Sequence, residues 1–318
     1  MNAPKTDAHA HATPPGSTAP QPPGGWGRPG WHTPAPSPPA AILLVATLLL
    51  VLGGCAGEPH IDTRYHALGQ DSRVRFIIIH FTQENFAASL QRLTGNEVSS
   101  HYLIDRDPPT IYGLVPEARR AWHAGLSAWH GEGPLNPSSI GIEIVNTGNR
   151  GDPALPYQPF TQPQIDQLIA LVRDIQQRHN VRADRILGHA EVQPQTRTDP
   201  GPQFPWHALA DAGLVPWPDA ARVQAALPAF SAALPPIAWF QARLAAHGYS
   251  VPNTGVLDAP TRRVLAVFQM RFRPARYDGE PDAETAALLD VITAPGGLLL
   301  RARTDCRSGA ALDQRIGR

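Results

Sequence analysis

The 318-residue chain predicts a mixed α/β domain followed by a small three-helix unit, and three observations carry that prediction. Short β-branched runs alternate with one long amphipathic helix between residues 63 and 216. A turn-then-helix pattern occurs twice between residues 234 and 292. Prolines thicken between Pro205 and Pro236, which marks an irregular connection between the two.

The elements follow in order. Arg73 to His80 is a continuous β-branched run of the kind buried on both faces, and His101 to Asp105 and Ile111 to Val115 are shorter candidate strands. From Ile140 to Val145 the pattern alternates, so Ile140, Ile142 and Ile144 share one face and Glu143 points to the other. The helix from Gln162 to His179 shows Ile165, Leu168, Ile169, Val172 and Ile175 at helical spacing, with Thr161 and Gln164 as a capping box. Arg185 to Gly188 reads as a strand that delivers His189 at its end. In the second unit, Ile237 to His247 is a helix ended by Gly248. Gly255-Val-Leu-Asp258-Ala-Pro-Thr261 is then echoed by Gly279-Glu-Pro-Asp282-Ala-Glu-Thr285, each aspartate placed to cap a following helix. Residues 293–318 lack periodicity and are expected to form a flexible tail.

Basic and acidic residues cancel at 27 each, so bulk charge gives no reason to expect a nucleic-acid partner. Residues 1–39 are rich in Pro, Gly, Ala and Thr with almost no aliphatic side chains, and are expected to be disordered or a mis-assigned extension of the mature protein. Ala40 to Gly54 is an uncharged apolar run, short for a membrane span of roughly 17 to 25 residues and suited to a signal segment. It ends in Leu52-Gly53-Gly54-Cys55, which resembles a bacterial lipoprotein processing box, so residues 40–55 are expected to be removed or lipidated at Cys55. With Cys55 lipidated, Cys306 has no partner for an intramolecular disulfide, and the domain relies on its core or on metal.

His80, His189 and Asp199 offer two imidazoles and a carboxylate at strand ends and on a loop, a plausible set of three ligands for a catalytic zinc that keeps a fourth position for water. Neither an HExxH helix nor a CxxC pair is present. Glu143, a lone carboxylate in an apolar strand, suits a general base, the alternative being a solvated sheet face. Arg197 could stabilise an oxyanion or form a surface salt bridge.

Five motifs then carry a family resemblance: Ile77-Ile78-Ile79-His80-Phe-Thr, Ser99-Ser100-His101-Tyr102-Leu103-Ile104, Ala121-Trp122-His123-Ala124-Gly125, Ser139-Ile140-Gly141-Ile142-Glu143, and Gly188-His189 through Asp199-Pro200-Gly201-Pro202. In order and spacing they resemble the zinc-dependent N-acetylmuramoyl-L-alanine amidases of the type 2 family, including its lipoprotein members. The resemblance implies an α/β fold with a central mixed sheet flanked by helices over residues 63–216, Zn2+ on His80, His189 and Asp199, and Glu143 as the catalytic carboxylate. It implies hydrolysis of the amide between N-acetylmuramic acid and L-alanine in peptidoglycan or muropeptides. Where the family commonly carries lysine near the aspartate ligand this chain has Arg197, which keeps the charge with a different geometry. His123 is left as a substrate contact or a loop cap, and His101, His130, His179 and His207 as structural or surface residues.

Residues 234–292 resemble a peptidoglycan-binding domain of the type 1 class in the Gln241 to Tyr249 opening and the Thr261 to Gln269 helix. The whole reads as a monomeric cell-wall amidase held by a lipid anchor at the periplasmic face of the outer membrane. A non-catalytic peptidoglycan-recognition protein is the alternative, and the presence of all three ligands together with Glu143 argues against it.

Overall fold

A computed structural model describes residues 60–302 of the chain. Cys55, the apolar run before it, residues 1–39 and residues 303–318 lie outside the described residues. None of the described helices is long and apolar enough to cross a membrane.

The sheet has five strands: β1 (Phe76–Phe81), β2 (Tyr102–Ile104), β3 (Ile111–Gly113), β4 (Ser139–Ile144) and β5 (Ile186–Gly188). Their spatial order is β3-β2-β4-β1-β5. β2, β4, β1 and β5 run parallel, and β3 closes one edge antiparallel to β2, so the sheet is mixed as the family resemblance implies. β1 lies between β4 and β5 and is buried along its whole length, which is why it reads as a continuous apolar run rather than an alternating one.

The two faces of the sheet carry different cores. Ile77 and Ile79 of β1 join Ile140, Ile142 and Ile144 of β4 against Ile165, Leu168, Val172 and Ile175. Those four come from α2 (Gln162–His179), which follows α1 (Phe86–Leu93) in the chain. The capping box holds, with Thr161 accepting from the Gln164 backbone and Gln164 reaching back. α1 is absent from the sequence reading, although Asn85 caps it and Phe86, Leu90 and Leu93 form its apolar stripe against Leu103.

Phe76, Ile78 and Leu187 face the other way and share a core with Phe240, Leu244, Val264, Phe268 and Leu289 of the C-terminal helices. After the one-turn helix α3 (His189–Val192) come α4 (Trp206–Asp211), α5 (Ala220–Ala232), α6 (Ile237–His247), α7 (Ala259–Phe272) and α8 (Ala283–Thr293). The expected three helices are α6, α7 and α8, with Asp258 and Asp282 capping the last two through the Thr261 and Thr285 amides. Two corrections apply. The proline-thick stretch expected to be an irregular connection contains α4 and α5: Pro205 stands at a helix start, where its missing N–H costs nothing, and the Ala-rich α5 is capped by Asp219 and tolerates Pro228 within it. The stretch after residue 293, expected to be loose, begins with β7 (Leu298–Leu299), which pairs antiparallel with β6 (Trp217–Pro218).

Candidate metal centre and active-site cleft

Strand register builds the site. β1 and β4 are parallel with His80 beside Glu143, and neighbours in register project from the same sheet face. β5 ends at Gly188, next to Ile79, so the chain delivers His189 at the level of His80. Both histidines and Glu143 therefore gather at the carboxyl ends of parallel strands, where open α/β sheets form their crevices. A cleft of about 170 Å³ opens there, lined by His80, Glu143, His189, Arg197 and Asp199 among others.

His80, His189 and Asp199 are buried, at 2%, 3% and 8% exposure. His80 Nδ1 and His189 Nδ1 are 3.0 Å apart, and Asp199 Oδ2 lies 3.0 Å from the first and 3.1 Å from the second. Burial, followed by the neighbouring His189, holds the His80 imidazole down to about 4, against the pull of Asp199. Burial alone would raise Asp199, but His189 and His80 outweigh it and keep the carboxylate well below its usual range. His80 and Asp199 are thus held in the protonation states that metal binding needs.

Hydrogen-bond polarity points the same way. Ser139 Oγ donates to the Leu135 carbonyl at 2.7 Å, so toward His123 it accepts, and His123 Nε2 donates to it at 3.2 Å. His123 Nδ1 then accepts from His80 Nε2 at 3.0 Å, which leaves His80 Nδ1 as a bare lone pair facing Asp199 and His189. His189 is oriented alike, its Nε2 donating to Gln193 Oε1 at 3.1 Å. Gly141 makes room for this chain, since a Cβ there would stand 2.5 Å from His123 Cγ. Three donor atoms this close together could hold a metal ion. Tetrahedral ligands about 2.0–2.1 Å from zinc stand about 3.3 Å apart, close to the observed triangle.

Glu143 is half-buried, and its Oε2 is enclosed without a hydrogen-bond partner among the described residues. Burial, then the charge of Asp199, pushes its carboxyl up to about 8, with Arg197 and Arg92 opposing. A solvated sheet face is thereby replaced by a cleft wall. Arg197 is exposed at the cleft rim and pairs with no carboxylate among the described residues, in place of the surface salt bridge weighed against it.

His123 borders the cleft, but both ring nitrogens are spent inside the protein. Beside the substrate contact and the loop cap left open for it, the geometry gives His123 a third role, support of His80. Burial, then His80 and His101, hold its imidazole neutral, well below the usual range. His101 is structural, Nδ1 accepting from Gly141 N and Nε2 donating to the Arg119 carbonyl. Ser139 and Gln193 escaped the sequence reading. Gln193 stands four residues after His189, a legible helical spacing, whereas Ser139 has no such signal.

The family model described as N-acetylmuramoyl-L-alanine amidase matches residues 70–202, and one for a peptidoglycan binding domain matches residues 234–289. The chain is 42% identical over 265 residues to N-acetylmuramoyl-L-alanine amidase AmiD of Escherichia coli strain K12, spanning 78% of this chain and 95% of that protein. Among solved structures, the complex of E. coli AmiD with the substrate anhydro-N-acetylmuramic acid-L-Ala-D-γ-Glu-L-Lys aligns with a TM-score of 0.65 and 41% identity, over 72% of this chain and 92% of that one. AmpDh3 of Pseudomonas aeruginosa, in complex with an anhydromuramic pentapeptide, aligns with a TM-score of 0.68 and 38% identity, over 73% and 96%.

Proposed function

The chain belongs to the N-acetylmuramoyl-L-alanine amidase family, and from that premise we propose that it cleaves muropeptides at a zinc centre held by His80, His189 and Asp199. The single observation that carries the metal is the triangle of bare donor atoms, 3.0 to 3.1 Å on a side, in a buried pocket. When bound, zinc supplies Lewis-acid activation of water near neutral pH.

The residues of the chain do the rest. Glu143, beside His80 in register and facing the same cleft, takes the proton of the attacking water and returns it to the departing amine of L-alanine. Its enclosed, unpartnered Oε2 makes the carboxylate a strong enough base for that exchange. The Arg197 guanidinium, unpaired at the rim, donates to the oxygen of the scissile amide as negative charge develops there. His123 and Ser139 keep the His80 proton on Nε2 throughout.

The substrate is a muropeptide carrying the N-acetylmuramic acid to L-alanine bond, and the anhydro form bound by both relatives is the first to test. Purified protein should release free stem peptide from anhydro-muropeptide, and a chelator should stop the release until zinc is restored. Full activity after verified removal of the metal would overturn the zinc assignment.

The apolar run and Leu52-Gly53-Gly54-Cys55 support a lipid anchor at Cys55 and a place at the periplasmic face of the outer membrane. Fatty-acid labelling of the intact chain should disappear in Cys55→Ser; labelling that survives the substitution would remove Cys55 as the acceptor.

A further inference from the structure

α3 is a single turn, and it faces two ways. Its first residue, His189, points into the metal centre, and its third, Glu191, points back into the C-terminal helices. The Glu191 carboxylate is 4% exposed, and each of its oxygens meets a side chain of the helical unit. Oε2 accepts from Arg271 Nη1 at 2.5 Å, and Oε1 lies 3.5 Å from the Tyr249 hydroxyl. Oε2 also accepts the backbone N–H of Gly188, the residue immediately before His189, at 2.7 Å.

Arg271 is itself fixed, 5% exposed, with its guanidinium 3.9 Å above the Trp206 ring and Nη1 3.4 Å from the Ile186 carbonyl of β5. Gly188 lies in the same clamp, because a Cβ there would stand 2.6 Å from Pro200 and 3.3 Å from Trp206. A second tether lies further along the loop that joins the two ligands: Gln195 Nε2 donates to the Pro260 carbonyl at the start of α7, while Arg271 sits near its end. One helix of the C-terminal unit therefore grips the 189–199 segment at both of its own ends, and that segment carries two of the three metal-facing side chains. The segment is closed on itself as well, Ala190 N donating to the Asp199 carbonyl at 2.8 Å.

We infer that Arg271 and Tyr249 are positioning residues of the amidase centre. By holding Glu191 they set the turn on which His189 stands, so the C-terminal unit is a working part of the metal site as well as a wall-binding module. The inference rests on the zinc reading given above. Arg271 touches neither metal nor substrate and acts only through Glu191.

The test uses the full chain and measures zinc affinity by competition with a chromophoric chelator, beside thermal stability. Second-sphere partners of metal ligands commonly contribute about 10- to 100-fold in metal affinity, and a loss in that range is expected for Arg271→Met. Because that variant leaves Glu191 buried and unpaired, the double variant Glu191→Gln with Arg271→Met supplies the decisive comparison. It leaves no charge buried, so its stability should return toward that of the parent while zinc affinity stays low. Recovery of zinc affinity together with stability, or a zinc affinity within twofold of the parent in both variants, would reduce the pair to a fold contact and overturn the inference. A parent protein that binds no zinc would instead overturn the metal reading on which it rests, and the parent measurement alone shows which has failed.

Discussion

The turns of the helical unit and the carboxyl ends of the central strands both bury polar side chains, and they treat them in opposite ways. In the helical unit, Gln241 donates to Thr261 Oγ1 and accepts from Gly255 N, and Gln269 repeats the arrangement with Thr285 and Gly279. Each amide satisfies the turn before the next helix, which is the physical content of the sequence echo. At the strand ends, Glu143 keeps an enclosed oxygen without a partner, and three donor atoms face one another across about 3 Å. Burial with satisfied hydrogen bonds yields rigidity. Burial with donors left open stores reactivity, because an enclosed carboxylate or imidazole gains its missing partner from metal, substrate or a bound water.

The sharpest way to break this contrast is to remove the open carboxylate. Glu143→Ala should keep its zinc and lose about 10² to 10⁴ in kcat, the range of a general base. The parent kcat/KM should rise with pH on the acid side, because Glu143 works only when ionised, and the residual rate of the variant should lack that limb. An unchanged rate would return Glu143 to the status of a strand residue.

Arg197→Ala should cost about 10² in kcat, the lower end of what one oxyanion donor contributes, with Arg197→Lys recovering most of it. A larger change in KM than in kcat would assign the guanidinium to ground-state binding instead.

On the satisfied side, Gln269→Ala leaves Gly279 N and the Glu280 carbonyl short of a partner, at a cost of about 1 to 3 kcal/mol in unfolding free energy. Denaturant unfolding measures it, and kcat per folded molecule should hold. The smallest effect is the loss of a cap: Asp258→Ala should cost about 1 kcal/mol, and Asp282→Ala more, because each aspartate accepts from the amide three residues on and Asp282 also pairs with the buried Arg273. Equal losses would show that the Asp282 ion pairs contribute nothing beyond its cap.

Acidification probes the open side in the metal-free protein. His80 is held down to about 4 in the fold against an ordinary value near 6.5, so the unfolded chain binds the extra proton between them. Stability should therefore fall as pH drops from about 6.5 toward 4, and His80→Gln should remove its share of that slope.

How much of this was legible in the chain depended on the range of the interaction. β1, β4, β5 and α2 announced themselves because their patterns repeat over two to four residues, and the Thr161 and Gln164 box is a contact across three positions. α5 was hidden by its prolines, and α1 by its brevity, although the stripe of Phe86, Leu90 and Leu93 was there to be read. The role of His123 could not be read at all, since it depends on a hydroxyl sixteen positions away and on the space left by Gly141.

The sequence by itself determined the local periodicities, the caps, the residue types able to bind metal and move protons, and the family they resemble. Only the tertiary structure decided which histidine supports another, that the C-terminal helices share a core with one sheet face, and that Arg271 reaches Glu191 across 80 positions. The reason is physical: hydrogen-bond polarity and packing of distant side chains depend on how the strands register and which faces meet. No short window of sequence contains that information.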